Sequence, residues 1–164
     1  MKKVYIASDH TGFELKKEIM TYINSLGYEA TDKGPFIFDK DDDYPDFIRP
    51  CAEAVASDSG SFGVIFGGSG QGEAMSANRV AGARAAVFYG GVLAKIAIDI
   101  EGNMSTDPYE IVKLARQHNH ANIISIGTRF MNTEEIKEAI KIFIETPWSE
   151  VERHSRRVIK IDNK

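Results

Sequence analysis

Residues 62–73 read FGVIFGGSGQGE, an apolar run that ends in a glycine-rich turn and a glutamate. Such a run followed by clustered glycines is typical of a buried strand that turns tightly into a helix. Backbone amides at such a turn commonly bind the oxygens of a phosphate. Glu73, however, stands at the exit of the loop, where its negative charge opposes a phosphate. The stretch therefore predicts a strand, a loop and a helix, with an acidic group beside the loop.

Working outward from this stretch, short apolar runs alternate with helical patterns along the chain. The predicted strands are residues 4–7, 28–34, 62–66, 83–89 and 122–127. The predicted helices are residues 12–27, 46–56, a segment from Glu73 onward, 111–119 and 133–146, the last with Thr133 as its N-cap. Continuous apolar strands that alternate with helices favour a parallel sheet covered on both faces. We therefore expect a doubly wound (Rossmann-like) α/β fold with five strands.

The composition is that of one globular domain of 164 residues, with 43% hydrophobic and 27% charged residues. The net charge of −4 argues against a nucleic-acid-binding surface. No apolar run reaches the roughly 18 residues of a membrane-spanning helix, and we expect no membrane partner. The N-terminal MKKVYIASDHTG predicts a first strand instead of a secretory signal. Cys51 is the only cysteine, so we expect a cytoplasmic protein with no internal disulfide and an inert thiol.

Polar residues follow three of the predicted strands. Asp9 and His10 come after the first strand, Gly67–Glu73 after the third and Arg129 after the fifth. The carboxyl ends of parallel strands share one edge of a sheet, and ligands bind there near the point where the strand order reverses. We therefore expect these residues to line one site.

The loop GGSGQG fits neither common phosphate-binding motif. No Gly-Lys-Ser/Thr follows it, and its third glycine, Gly72, comes one residue early for a dinucleotide fingerprint. The loop is either a tight turn alone or a nest of amides for an anion. Glu73 either stabilises the helix dipole or acts as a general base beside the nest, and the two roles are compatible. A base next to oxyanion-binding amides suits an enediolate, with any phosphate bound elsewhere.

The histidines each have two interpretations. Asp9 and His10 form either an ordinary capped turn or part of a site. His118 and His120 precede the fifth strand, where a histidine often only complements the dipole of the preceding helix. We predict no metal site, because no cysteine and no histidine pair four residues apart completes a ligand set.

The arginines suggest a phosphate. Arg153 and Arg157 lie four residues apart in RHSRR, so on a helix they share one face. They either clamp a phosphate together or form a solvated basic end. Arg129 leaves a buried strand at the expected site edge. Arginines for a phosphate and a separate loop for an oxyanion would fit an enzyme that acts on sugar phosphates.

A specific combination of stretches runs in order along almost the whole chain. The stretches are SDHTGFELK (8–16), DYPDF (43–47), GGSGQGEAMSANR (67–79), GARAA (82–86), ARQHNHAN (115–122), IGTR (126–129) and TPWSEVERHSRR (146–157). In this combination the chain resembles the ribose-5-phosphate isomerase B family, which also includes galactose-6-phosphate isomerase subunits. The resemblance implies a single sugar-phosphate isomerase domain over residues 1–164. Such a domain moves a proton between C1 and C2 through an enediolate, without metal or cofactor.

The resemblance also implies roles for individual residues. Many family members carry a base cysteine at the position of Gly67, whereas a subgroup has glycine there and a glutamate after the loop, so the base role falls to Glu73. For the enediolate, the resemblance implies Ser69 and the amides of Gly70, Gln71 and Gly72, and for ring opening it implies His118 with Asp9. The implied substrate-binding residues are Gly68, Asn119 and Tyr44. The implied phosphate-binding residues are His10, Arg129, Arg153 and Arg157.

The resemblance further implies a homodimer or homotetramer with an active site shared between subunits. The C-terminal segment 146–164 then lies at a subunit interface. One feature departs from the family: Arg84 and His118 are 34 positions apart, a much wider spacing than relatives have. The extra residues, at about 90–108, follow the fourth strand. We expect them near the rim of the site or at a subunit contact, where they bear on the substrate and the assembly.

Three functions fit the sequence. The favoured one is isomerisation of ribose 5-phosphate to ribulose 5-phosphate. The insertion raises a second, isomerisation of a hexose 6-phosphate such as allose or galactose 6-phosphate. The third is a non-catalytic sugar-phosphate or nucleotide-binding module on the same fold. Glu73 argues against the module, because a pure phosphate binder gains nothing from a carboxylate at the loop.

Overall fold

The structure of the chain, a computed structural model, describes residues 1–163. Its strands are β1 (Lys3–Ser8), β2 (Glu29–Asp32), β3 (Phe62–Gly67), β4 (Ala85–Phe88) and β5 (Ile123–Gly127). Its helices are α1 (Phe13–Ser25), α2 (Pro45–Ser57), α3 (Gln71–Ala77), α4 (Glu110–Asn119), α5 (Thr133–Glu145) and α6 (Glu152–Asp162). Within residues 1–163, no helix combines the length and the apolar character that a bilayer crossing requires.

The strands form a single parallel sheet in the order β2-β1-β3-β5-β4. The prediction of a doubly wound α/β fold with five strands is therefore confirmed. The chain adds β2 on one side of β1 and β3 on the other, so the strand order reverses between β1 and β3. The rule for open parallel sheets places a ligand site at the carboxyl ends of these two strands.

Helices cover both faces of the sheet, because successive strand residues point to opposite sides. On β1, Val4 and Ile6 belong to a core formed with α1, α4 and α5. Tyr5 and Ala7 belong to a second core formed with α2 and α3. The removal of these apolar side chains from water is the main force that holds the layers together.

The N-cap of α5 differs from the prediction. The expected N-cap of α5, Thr133, is wrong by one residue, because Asn132 accepts a hydrogen bond from the amide of Glu135 (3.0 Å) and the Glu135 carboxylate accepts one from the amide of Asn132 (2.8 Å). This reciprocal pair is a capping box. Helix α2 continues through Pro50. Cys51, in the same helix, is fully buried, and burial raises its pKa to about 12, as expected of an unreactive thiol.

Residues 90–108 form a closed loop between β4 and α4, with turns but no helix or strand. The amide of Val92 donates to the carbonyl of Pro108 (3.0 Å) at the base of the loop. At the tip, the Asp99 carboxylate accepts hydrogen bonds from the backbone amide (3.0 Å) and the side-chain amide (2.6 Å) of Asn103. These bonds give the insertion a defined shape.

Candidate active site

The carboxyl edge of the sheet brings together residues that follow β1, β3 and β5. The amide of Asp9 donates to the carbonyl of Phe66 (3.0 Å), which joins the ends of β1 and β3. One oxygen of the Asp9 carboxylate accepts from the amide of Thr11 (2.8 Å), and the other accepts from the amide of Gly68 (3.4 Å). Asp9 therefore caps its own turn and also fastens that turn to the glycine loop.

Glu73 lies at the centre of this edge, in the first turn of α3. Its side chain is buried, with 4% of the residue exposed. A Cβ atom built on Gly67 would overlap the carboxyl carbon and both carboxyl oxygens of Glu73. The missing side chain of Gly67 therefore creates the space that the Glu73 carboxyl fills. A glycine at the end of β3 and a glutamate after the loop are thus two parts of one arrangement.

The surroundings of Glu73 favour its protonated form. Burial is the main cause that raises its pKa above the ordinary value, and the negative charges of Asp9 and Asp42 raise it further. A hydrogen bond from its own backbone amide and the charge of His10 act in the opposite direction. A carboxyl with a raised pKa is suited to accept and release a proton.

Asp42 is a site residue that the sequence analysis missed. Its side chain is 3% exposed, and one carboxylate oxygen lies 2.9 Å from Nδ1 of His10. The other oxygen is buried and has no hydrogen-bond partner among the described residues. The hydrogen bond to Asp42 raises the pKa of His10. The signal was the acidic run 41–43 before Tyr44, but nothing in the sequence distinguishes the one buried aspartate from its two neighbours.

The glycines of the loop let neighbouring side chains approach its backbone. A Cβ on Gly68 would lie 3.1 Å from Nε and Cζ of Arg129, so this guanidinium lies across the loop. A Cβ on Gly72 would lie 2.6 Å from the hydroxyl of Tyr44. Ser69 is exposed, and its hydroxyl accepts from the amide of Gln71 (3.3 Å) at the start of α3. These residues join Asp9, His10 and Glu73 in what we call the carboxyl-edge group.

A second set of predicted residues lies elsewhere on the chain, and we call it the amino-edge group. His118 and Asn119 end α4, immediately before β5 begins. Arg153 and Arg157 lie four residues apart on α6, a helix that the sequence analysis did not predict. Burial lowers the pKa of His118, and the charges of Arg153 and Arg157 lower it further, while Asp99 acts in the opposite direction.

The two groups lie at opposite edges of the sheet. β5 runs from the amino-edge group to Arg129 and has five residues, so the two edges are about 16 Å apart at a rise of about 3.3 Å per residue. Within residues 1–163, no hydrogen bond or ion pair joins the two groups. A single chain therefore does not place His118 beside Asp9, although the predicted ring opening requires the two side chains to be adjacent. Residues 1–163 contain no cluster of three or more histidine, cysteine or acidic side chains that could hold a metal ion.

Comparison with known proteins agrees with the fold and the motifs. The sequence matches the ribose/galactose isomerase family over residues 4–104 and 99–161. The chain belongs to this family. The resemblance inferred from the motifs is thus confirmed, and the two matched segments overlap at residues 99–104, within the insertion.

Individual family members are similar over nearly the whole chain. Ribose-5-phosphate isomerase B of Mycobacterium leprae is 38% identical over 156 residues, which cover 95% of this chain and 85% of that protein. The Escherichia coli protein of the same name is 32% identical and covers 96% of this chain. The crystal structure of ribose-5-phosphate isomerase B from Mycoplasma genitalium with bound ribulose 5-phosphate matches with a TM-score of 0.82 at 33% identity, over 98% of this chain and 93% of that one.

Proposed function

We propose that the chain is an aldose–ketose isomerase that interconverts ribose 5-phosphate and ribulose 5-phosphate by proton transfer. The observation that carries the proposal is the buried Glu73 carboxyl, which occupies the space left by Gly67 beside the glycine loop. The ribulose 5-phosphate bound to the Mycoplasma genitalium relative supports the substrate class. A protein that only binds sugar phosphates would have no use for a buried carboxyl at this point, so the geometry favours an enzyme.

The proposed reaction moves one proton between neighbouring carbons. Glu73 removes the proton from C2 of the open-chain aldose, the electrons of that C–H bond form the C1=C2 double bond, and the carbonyl electrons move onto O1. Protonated Glu73 then returns the proton to C1, where the electrons of the C1=C2 bond form the new C–H bond. O1 takes up a proton from the solution while O2 releases one, so that O1 becomes a hydroxyl and the C2–O2 bond becomes the carbonyl. The ketose forms and the carboxylate is restored. The raised pKa of Glu73 suits a group that must both accept and release this proton.

The glycine loop is proposed to stabilise the enediolate. Gly70 has a φ of 74°, in the left-handed region that glycine adopts without strain, and it turns the chain into α3. The amides of Gly70, Gln71 and Gly72 and the hydroxyl of Ser69 can then donate to the oxygen that becomes negative. Donors fixed before the reaction stabilise such an oxygen more strongly than mobile water does.

We propose that a complete site forms between two copies of the chain. The support is the separation of the two groups, because neither edge alone holds the base and the ring-opening residues. In the proposed homodimer the partner subunit's His118 faces Asp9, and together they move the protons that open the furanose ring. The lowered pKa of His118 suits this role, since a neutral imidazole can both accept and donate a proton.

The phosphate is proposed to lie between the two edges as well. His10 and Arg129 approach it from one copy, and the partner subunit's Arg153 and Arg157 approach it from the other. The hydrogen bond to Asp42 raises the pKa of His10, so its imidazole stays positively charged to a higher pH. A positively charged imidazole suits contact with an anion. Asn119 and Tyr44 are proposed to contact the sugar hydroxyls, and residues 146–163 to form part of the subunit contact.

A hexose 6-phosphate is a second candidate substrate, because the insertion adjoins both groups. Tyr89 at its base packs against Phe130, with ring centroids 6.2 Å apart, next to Arg129. Asp99 at its tip is close enough for its charge to raise the pKa of His118. We propose that residues 90–108 line the sugar end of the shared site and a subunit contact, where the space they leave decides between a pentose and a hexose.

A panel of substrates in heavy water tests the proposal. The protein is incubated with ribose 5-phosphate, allose 6-phosphate and galactose 6-phosphate, and products are quantified by NMR. We expect ribulose 5-phosphate, with deuterium bound to carbon in substrate and product. Faster turnover of a hexose phosphate would favour the second candidate. Binding of all three sugars without turnover would favour a binding module, and turnover without deuterium would argue against an enediolate.

A further inference from the structure

One buried histidine at the amino edge has no role in the proposed chemistry. His154 is 4% exposed and lies in the first turn of α6, between two residues of the amino-edge group. Its ring lies against that of His118, with centroids 4.1 Å apart and planes inclined by 39°. Its neighbour in sequence, Arg153, donates from Nε to Nε2 of His154 over 3.1 Å. His154 thus contacts both a proposed ring-opening residue and a proposed phosphate-binding residue.

The hydrogen bonds of Ser149 determine which ring nitrogen of His154 carries the proton. The Ser149 hydroxyl donates its one hydrogen to the carbonyl of Gln117 (2.5 Å). In its 3.1 Å contact with Nδ1 of His154, Ser149 must therefore be the acceptor, so Nδ1 carries the hydrogen. Nε2 of the neutral ring is then bare and can accept from Arg153.

The charges around His154 favour the same neutral form. Burial lowers its pKa, and His118, Arg153 and Arg157 lower it further, whereas the carbonyl of Gln117 acts in the opposite direction. A proton on Nε2 would also face the N–H of Arg153 and break the hydrogen bond between them. The chain of contacts from Gln117 through Ser149 and His154 to Arg153 is consistent only with hydrogen on Nδ1.

We propose that His154 is a positioning residue that holds the guanidinium of Arg153 by its Nε hydrogen bond and supports the ring of His118 by stacking. The proposal rests on the proposed function, in which Arg153 binds the phosphate. Because only Nε of Arg153 is used in this bond, the four N–H donors of its terminal nitrogens stay available for an anion. One ring thereby fixes the geometry of both proposed functional side chains.

The competing explanation is that His154 only fills the contact between α4 and α6. In that case an aromatic ring of similar size would serve equally well. His154→Phe separates the two explanations, because it keeps an aromatic ring against His118 but removes the acceptor for Arg153. Ser149→Ala is the second variant: it changes an exposed residue, leaves the His154 ring in place and removes the acceptor that fixes its tautomer.

The kinetic test compares both variants with the wild type on ribose 5-phosphate. Arg153 is a charged group that should bind the substrate and the transition state with equal strength. Loss of the hydrogen bond that positions it should therefore change KM alone. We expect KM to rise about tenfold in His154→Phe and about threefold in Ser149→Ala, with kcat changed less than about twofold. The inhibition constant of inorganic phosphate should rise in parallel with KM. An unchanged KM and phosphate constant in both variants overturns the proposal, as does a loss confined to kcat.

A second measurement does not depend on the reaction. Long-range ¹H–¹⁵N spectra of the wild-type protein at neutral pH should show His154 neutral, with hydrogen on Nδ1. Hydrogen on Nε2, or a doubly protonated ring, contradicts the proposal even if the enzyme is active. If the spectra show the expected tautomer but the protein isomerises no sugar phosphate, the hydrogen-bond chain is supported and the proposed function is contradicted. If His154→Phe fails to fold, the spectra and Ser149→Ala decide.

Discussion

The carboxyl edge and the amino edge of the sheet change the acidity of their key residues in opposite directions. At the carboxyl edge, burial and neighbouring carboxylates raise the pKa of Glu73, so that this acid holds a proton more readily than an ordinary glutamate. At the amino edge, burial and neighbouring arginines lower the pKa of His118, so that this base stays neutral. The first change brings Glu73 closer to the pH range in which both of its protonation states are accessible, and the second keeps His118 in the neutral form that can accept a proton.

The separation of the edges is what keeps these environments distinct. If an arginine of the amino-edge group lay beside Glu73 in the folded chain, it would stabilise the carboxylate and lower the pKa of the glutamate. With about a strand length between them, the opposite charges do not pair within one chain. In the proposed homodimer they meet across the substrate, whose phosphate takes up the positive charge of the arginines.

The largest expected effect is that of Glu73→Gln, which removes the base from the carboxyl edge and keeps its size. A positioned general base contributes about 10²–10⁴-fold in rate, so we expect kcat to fall by that factor with KM changed little. Steady-state kinetics on ribose 5-phosphate measure both values. Glu134→Gln is the control, because Glu134 also lies in the first turn of a helix but is exposed on α5. Equal small losses in both variants would mean that Glu73 serves only the helix dipole.

The next effect tests whether one site draws on two copies. Glu73→Gln and His118→Asn variants are each expected to be nearly inactive. When they are unfolded and refolded together, a mixed dimer holds one site with both changes and one with neither. Random pairing should restore roughly a quarter of the wild-type activity. If native mass spectrometry detects mixed dimers and activity does not return, the base and the histidine do not share a site across the interface.

Much of this arrangement follows from the order of elements along the chain. Residues after β1, β3 and β5 had to meet at one edge, because parallel strands share their carboxyl ends. The same argument places His118 at the other edge, since α4 must return the chain to the start of β5. The sequence thus contained the separation of the two groups, although only the finished sheet made its consequence for Asp9 and His118 evident.

Other features depend on packing that no local pattern reveals. The burial of Glu73 depends on the exact fit of its carboxyl into the space at Gly67, which requires the backbone of the loop to be known. Asp42 differs from Asp41 and Asp43 only in the direction of its side chain, which the turn before α2 sets. The hydrogen of Ser149 that fixes the His154 tautomer depends on contacts between α4 and the segment before α6.

A smaller effect should follow from Asp42→Asn, which removes one negative charge from the carboxyl edge. His10 loses the hydrogen bond that raises its pKa, so its pKa should fall, and an NMR titration measures this directly. Glu73 loses one of the charges that raise its pKa, so its pKa should also fall. The acidic limb of kcat against pH is then expected to move to lower pH. Asp41→Asn is the control, because the Asp41 side chain is 80% exposed, and it should leave both curves unchanged.

The smallest expected effect comes from the removal of one positive charge at the amino edge. Arg157→Gln removes a positive charge near His118, and the pKa of His118 should rise because the protonated ring is then repelled less. The rise should be slight, since burial is the main cause of the low pKa and Arg153 remains in place. An NMR titration of the substrate-free protein measures it without interference from phosphate binding. Arg156→Gln is the matched control on the same helix, because Arg156 pairs with Glu152 at 3.2 Å. A fall in the pKa of His118, or equal rises in both variants, would mean that the arginines of α6 do not set the charge of the amino edge, and the contrast between the two edges would then rest on burial alone.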